Sequence, residues 1–192
     1  CSSLQQFNIP NTVQVIEDSA FSKCSNLTNI ELPAQIYTIG NYAFQECPVL
    51  KKITLPEELE RIGDSTFMGC KALMEVVVPD KVTSIGKEAF RGCTSLSKIT
   101  MPETITEIGE SAFSGCSMLE QFKVPESTAA VQDYTFNGCL KLSSVTFPEN
   151  LVTIGQYAFK DCSILENLVI PEKVTDIGAR AFMGCEKLEN VT

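Results

Sequence analysis

The 192-residue sequence has no histidine, no tryptophan and little positive charge, with 15 lysine and arginine residues against 24 aspartate and glutamate residues. Without histidine the sequence lacks the commonest general base and metal ligand, and no catalytic, cofactor or metal residues are assigned. A formal net charge of −9 opposes binding to nucleic acid, which depends on clustered cations. No run of about 18 apolar residues is present, so we expect no insertion into a membrane by this segment.

What the sequence does contain is one unit repeated without insertion or deletion. Its nine cysteines fall 23 residues apart, at positions 1, 24, 47, 70, 93, 116, 139, 162 and 185. Such self-similarity indicates a solenoid, in which each unit buries its apolar face only against its neighbours. We expect a single array over residues 1–192, with eight full repeats and the start of a ninth. Since apolar residues fill the outermost units, where capping repeats are polar, we expect a fragment of a longer protein.

Each unit is predicted to contain two extended segments. Leucine stands three residues after every cysteine, and large apolar residues stand six and eight residues after it, an alternation typical of a half-buried strand. Proline then ends the strand in eight units, because it cannot donate to a ladder. A shorter second strand should follow, usually before a glycine for which we expect a positive φ. The segment around the recurring phenylalanine is predicted to form a single helical or 3₁₀ turn, capped in several units by Asp18, Asn41, Asp64 and Asp133.

Two columns of equivalent residues invite a chemical interpretation. Stacked cysteines would lie about 4.8 Å apart with parallel side chains, too far for the ~3.8 Å between the Cβ atoms of a disulfide. We therefore predict nine free, buried thiols. An acidic residue follows the proline in six successive units, at Glu57, Asp80, Glu103, Glu126, Glu149 and Glu172. A calcium-binding edge is one interpretation, but a single file does not converge six to eight oxygens on one ion, which favours a solvated turn.

The outward positions of the first strand predict a protein-binding face. Residues five and seven after each cysteine point away from the core, so stacking places them side by side. The predicted face consists of Lys52, Met74, Glu75, Val77, Lys98, Thr100, Gln121 and Lys123. It combines exposed apolar side chains with cations, which is unusual in so acidic a chain. The alternative is that threonine and valine occur there for strand propensity alone.

The unit covering residues 96–116, with the pattern Leu-x-x-Ile-x-Met-Pro-x-x-Ile-x-x-Ile-Gly-x-x-Ala-Phe-x-x-Cys, resembles the BspA-like, Treponema pallidum-type leucine-rich repeat. The resemblance implies a mainly β, right-handed leucine-rich-repeat superhelix with a concave parallel sheet. It also implies a non-enzymatic protein-binding module at the cell surface or secreted, active in adhesion to extracellular matrix or host cell surface proteins. The alternative is a cytoplasmic structural scaffold or assembly protein, which many reduced thiols would suit.

One repeat, residues 116–138, departs from the pattern. Thr128 replaces the aliphatic residue of the other units, and Gln132 replaces glycine. Because these changes remove packing, we expect local opening to be easiest there.

Overall fold

The computed structural model describes residue 1 and residues 3–192, which form a β-solenoid with two columns of short strands. The first column contains β1 (Gln6–Asn8), β3 (Asn29–Glu31), β6 (Glu75–Val77), β8 (Lys98–Thr100), β10 (Gln121–Lys123), β12 (Ser144–Thr146), β14 (Asn167–Leu168) and β16 (Asn190–Val191). The second column contains β2 (Val15–Ile16), β4 (Thr38–Ile39), β5 (Arg61–Ile62), β7 (Ser84–Ile85), β9 (Glu107–Ile108), β11 (Ala130–Val131), β13 (Thr153–Ile154) and β15 (Asp176–Ile177).

Every strand pair is parallel and joins residues 23 positions apart, as Val76 pairs with Ile99 in the first column and Ile62 with Ile85 in the second. This register keeps equivalent side chains on the same face, so the inward residue of each strand reaches one continuous core. The architecture confirms the predicted fold class, a mainly β repeat solenoid of 23-residue units.

A stack of phenylalanine rings runs through the core. Neighbouring rings from Phe21 to Phe182 are nearly parallel, with centroids 5.2–5.7 Å apart. The six inner members are completely buried beside the leucine column, at Phe44, Phe67, Phe90, Phe113, Phe136 and Phe159. Since each ring contacts its equivalents in both adjacent units, the stack couples every repeat to its neighbours.

The segment around each phenylalanine consists of hydrogen-bonded turns, and the described residues include no helix. The predicted helical or 3₁₀ turn is therefore absent. Two residues in every unit have a positive φ, for example Glu88 at 56° and Gly92 at 71°, and these interrupt a right-handed helix. Alternate amides of the segment instead donate to the next unit, as Phe90 N does to the carbonyl oxygen of Ala112 at 2.8 Å.

The glycine after the second strand does not have the positive φ expected from the sequence. Its role is to permit close approach of adjacent units. A Cβ built on Gly109 would lie 2.6 Å from the backbone nitrogen of Lys87, and one built on Gly178 would lie 2.4 Å from that of Gln156. Any side chain at this position requires the two units to separate locally.

The predicted helix caps also act between units. The side-chain oxygens of Asp18, Asn41, Asp64 and Asp133 accept hydrogen bonds from the backbone N–H groups of Asn41, Asp64, Lys87 and Gln156, at 2.6–2.9 Å. Each acceptor thus satisfies an amide 23 residues further along the chain. A residue type associated with helix capping here fastens one repeat to the next.

The two columns are not continuous. Hydrogen-bonded pairs in the first column are β1 with β3, β6 with β8, β10 with β12 and β14 with β16, and Lys52 joins β3 and β6 only through isolated bridges. We call the boundary between residues 93–115 and 116–138 the 5/6 junction. There, among the described residues, no ladder joins β8 to β10 or β9 to β11. The turn segments remain bonded across it, through the amides of Ser111, Phe113 and Gly115.

Candidate protein-binding face

The first column aligns the outward residues in rows. Because Lys52 is in register with Glu75, and Glu75 with Lys98, these three side chains occupy neighbouring positions of one row. Met74 and Val77 lie beside that row and are 50% and 67% exposed. The structure therefore brings together the part of the predicted face that lies in residues 52–100.

A groove of about 580 Å³ borders this group. Its lining consists of Lys51, Lys52, Ile53, Thr54, Leu55, Glu57, Met74, Glu75, Val77 and Pro79. The groove lies where the first column is reduced to isolated bridges at Lys52. Leu55, Glu57 and Pro79 are additions to the predicted face, and the consecutive lysines at 51 and 52, both expected on the outward side of the strand, mark the place in the sequence.

The remaining predicted residues lie across the 5/6 junction. Lys98 and Thr100 belong to β8, whereas Gln121 and Lys123 belong to β10, and no ladder among the described residues holds the two pairs in register. The eight predicted residues thus form two groups on separate pieces of sheet. A partner that contacts both groups has to span the junction.

The lysines of the face differ in their electrostatic surroundings. Lys123 Nζ lies 2.6 Å from Glu103 Oε1 and 3.8 Å from Glu126 Oε1, and the hydrogen bond to Glu103 raises the pKa of the lysine. Among the described residues, neither Lys52 nor Lys98 has an ion-pair partner within 4 Å. These two cations are therefore the ones available to an incoming carboxylate.

Glu103 is distinctive among the acidic residues that follow the prolines. Its Oε2 accepts a hydrogen bond of 2.8 Å from the backbone N–H of Glu126, and its Oε1 accepts one from Lys123. Both hydrogen bonds lower the pKa of the carboxyl group, and the one from Glu126 has the larger effect. Both partners lie across the 5/6 junction. In the described part of the chain, no group of three Cys, Asp or Glu side chains is placed to hold a metal ion.

All nine cysteines are free, but they are not all buried. The seven from Cys24 to Cys162 are buried, whereas Cys1 is exposed and Cys185 is partly exposed, because fewer units cover them. This corrects the prediction that every thiol is buried. From Cys47 onward each Sγ donates to the carbonyl oxygen of the phenylalanine 26 residues earlier, at 3.1–3.3 Å.

Burial raises the pKa of the inner thiols well above the ordinary value, and it raises those of Cys47 and Cys185 to about 11. The thiolate is the reactive form of cysteine, so these side chains are poor nucleophiles and poor metal ligands. They act as small core residues with a satisfied hydrogen bond.

No helix among the described residues is long and apolar enough to cross a membrane.

The leucine column, the parallel ladders and the inward phenylalanine of each unit define a leucine-rich-repeat solenoid. Within that class, the chain belongs to the BspA type leucine rich repeat family, described as a region of six copies, whose model matches residues 1–120 and 83–192. The match confirms the resemblance inferred from the repeat pattern. A search of curated proteins gave no match.

Several solved structures have the same fold. A leucine-rich repeat protein from Bacteroides ovatus is 31% identical with a TM-score of 0.75, over 97% of this chain and 56% of that chain. The T. pallidum leucine rich repeat protein is 28% identical with a TM-score of 0.77, over 96% of this chain and 78% of that one. A leucine rich cell surface protein from Faecalibacterium prausnitzii is 29% identical with a TM-score of 0.71, over 98% and 47%. The chain spans about half the length of the first and third of these proteins.

Proposed function

We propose that the chain is a non-enzymatic binding segment of a cell-surface or secreted protein, and that it adheres to an extracellular matrix or host cell surface protein. Leucine-rich repeats of this family are generally protein-binding modules. The observation that carries the proposal is the group formed by Lys52, Met74, Val77 and Lys98, where two exposed apolar side chains lie beside a row that contains two cations without an ion-pair partner. Exposed apolar patches with polar rims are typical of protein interaction sites.

The cell-surface assignment is supported by similarity to the F. prausnitzii protein, which is described as a leucine rich cell surface protein. The alternative, a cytoplasmic scaffold, is favoured by the nine free thiols, since free cysteines are commoner in reducing compartments. Burial and a raised pKa protect the inner thiols from oxidation, however, so an oxidising environment is compatible with the same core.

Charge reversal on the face tests the proposal. The double variant Lys52→Glu, Lys98→Glu should reduce binding in a solid-phase assay against purified matrix and plasma proteins, chiefly by slowing association. A matched control is Lys141→Glu, Lys173→Glu, which reverses two exposed lysines away from the face and makes the same change in net charge. Equal binding by the two double variants, or no binding by the wild-type chain to any of these proteins, refutes the proposal.

A further inference from the structure

The 5/6 junction presents two facing strand edges on the first column. In a parallel ladder, the N–H and C=O groups of alternate residues point to opposite neighbours. Lys98 N donates to Met74 O at 3.4 Å and Thr100 O accepts from Val78 N at 2.9 Å, so the backbone groups of Ile99 point toward β10. In the described part of the chain, no ladder joins these groups to β10.

The opposite edge has the same property. On β10, Glu120 O accepts from Ser143 N and Val124 N donates to Thr146 O, both at 2.9 Å. These bonds direct the backbone groups of Gln121 and Lys123 toward β8, to which no ladder joins them among the described residues. The opening thus has main-chain donors and acceptors outside any ladder on both sides, as the edge of a sheet does.

Two side chains of the sixth unit are larger than their equivalents in the neighbouring units at the 5/6 junction. Phe122 occupies an inward position held by Val76, Ile99 and Val145 in nearby units, and its ring packs 5.1 Å from Phe113 and 4.7 Å from Phe136 between centroids. In the second column, Gln132 places a Cβ where glycine otherwise permits close approach. Both larger side chains lie at the same junction, where Ile99 is partly exposed, whereas the equivalent Val76 is only 2% exposed.

The outward side chains at the opening determine which segment fits. They are Lys98 and Thr100 on β8 and Gln121 and Lys123 on β10, which include two cations and no anion. Lys123 is engaged by Glu103, whereas Lys98 is in register with Glu75 on β6 but forms no ion pair within 4 Å among the described residues. An inward aliphatic side chain would cover Ile99, and an outward carboxylate would lie beside Lys98.

We propose that this opening is a docking site for an extended segment of the partner protein, in which acidic and aliphatic residues alternate. The segment pairs with the main-chain groups of Ile99, Gln121 and Lys123 and places its acidic side chains beside Lys98. Such strand addition gives affinity through the main chain and specificity through alternate side chains. The inference rests on the proposed function and names the chemistry of the partner segment.

The test uses the whole chain and an acetylated, amidated hexapeptide of alternating aspartate and valine as the probe. At millimolar peptide, amide NMR signals of Ile99, Gln121 and Lys123 should shift, and their hydrogen exchange should slow. Two further peptides carry methyl groups on alternate backbone nitrogens, one at the odd-numbered and the other at the even-numbered residues. One of these two peptides should bind about tenfold more weakly than the parent peptide, because its methyl groups remove the donors that face the exposed strand edge. Lys98→Gln should weaken binding and lower its salt dependence, whereas the control Lys141→Gln should leave both unchanged.

Closing the opening provides the decisive variant. Phe122→Ile with Gln132→Gly restores the side chains of the regular units, so the amides of Ile99 and Gln121 should become protected without peptide and peptide binding should be lost. Unchanged peptide binding by this variant, equal affinity of both methylated peptides and the parent, or no shift at the opening overturns the inference. If the peptide does not bind at the opening while matrix binding is still reduced by Lys52→Glu, Lys98→Glu, only this inference is refuted. If the double variant also leaves matrix binding unchanged, the proposed function is refuted as well.

Discussion

Removing the ring of Phe113 should uncouple the two halves of the solenoid. Nine backbone hydrogen bonds outside the paired strands link residues 22–24 positions apart in units 70–92 and 93–115, whereas three such bonds link units 93–115 and 116–138. Six fewer bonds, at about 0.5–1.5 kcal/mol each, make the coupling across the 5/6 junction about 3–9 kcal/mol weaker. The contacts of Phe113 with Phe122 and Phe136 are then a large part of what remains.

Phe113→Ala should cost about 3–5 kcal/mol through the lost transfer energy and the cavity. That loss is comparable to the remaining coupling, so residues 1–115 and 116–192 should unfold in separate steps. The matched control is Phe67→Ala, since Phe67 is equally buried and stacks between Phe44 and Phe90. Urea titration followed by hydrogen-exchange mass spectrometry distinguishes the variants. A single transition for Phe113→Ala, with equal exchange in both halves, would refute this reasoning.

Three further outcomes are expected. In thiol titration of the native protein, Cys1 should react fast and Cys185 slowly, while the seven buried thiols stay unreactive. Unfolding without reductant should make all nine thiols reactive. Rapid labelling of Cys93 in the native protein would contradict the burial described. Gly109→Ala should destabilise the chain by about 1–3 kcal/mol by calorimetry, because its Cβ meets the backbone of Lys87, and a neutral result would show that the units separate freely. Because the pKa of Glu103 is lowered in the folded state, its stabilisation is present above about pH 4.5 and is lost as pH falls through the folded value. Exchange of the Glu126 amide, corrected for the intrinsic rate, should therefore accelerate in acid, and Glu103→Gln should remove most of that dependence.

The repeating part of the fold could be predicted from the sequence because every unit carries the same signals. Leucine, alternating apolar residues and proline predicted strand positions that the ladders confirm, as at Glu75–Val77. The turn segment was mistaken for a helical turn because its residues are typical of helix ends. The carboxylate of Asp64 accepts a hydrogen bond from the backbone N–H of Lys87 in the next unit, and so does not cap a helix in its own unit. The positive φ expected at the glycine after the second strand occurs instead at a nearby tyrosine or serine in several units.

The candidate face was predictable residue by residue but not as a surface. Alternation identified Lys52, Val77 and Lys98 as outward residues, and the structure places them together. The separation of the predicted face into two pieces of sheet, between Thr100 on β8 and Gln121 on β10, could not be predicted. It depends on how much space Phe122 and Gln132 take between particular units. Thr128, expected to weaken packing, is buried with its hydroxyl donating to Ile105 O at 2.9 Å, so the weak point of the sixth unit lies in its strands.

The interrupted ladders at the 5/6 junction also have a mechanical consequence. A tension applied between the two ends of the array is carried in series by every unit boundary, and the boundary with the fewest hydrogen bonds yields first. Extension should therefore begin near the middle of this chain while units on either side keep their structure. In a protein that tethers a cell to a surface, such a site limits the peak force on the contact, because the chain lengthens there before the remaining units unfold.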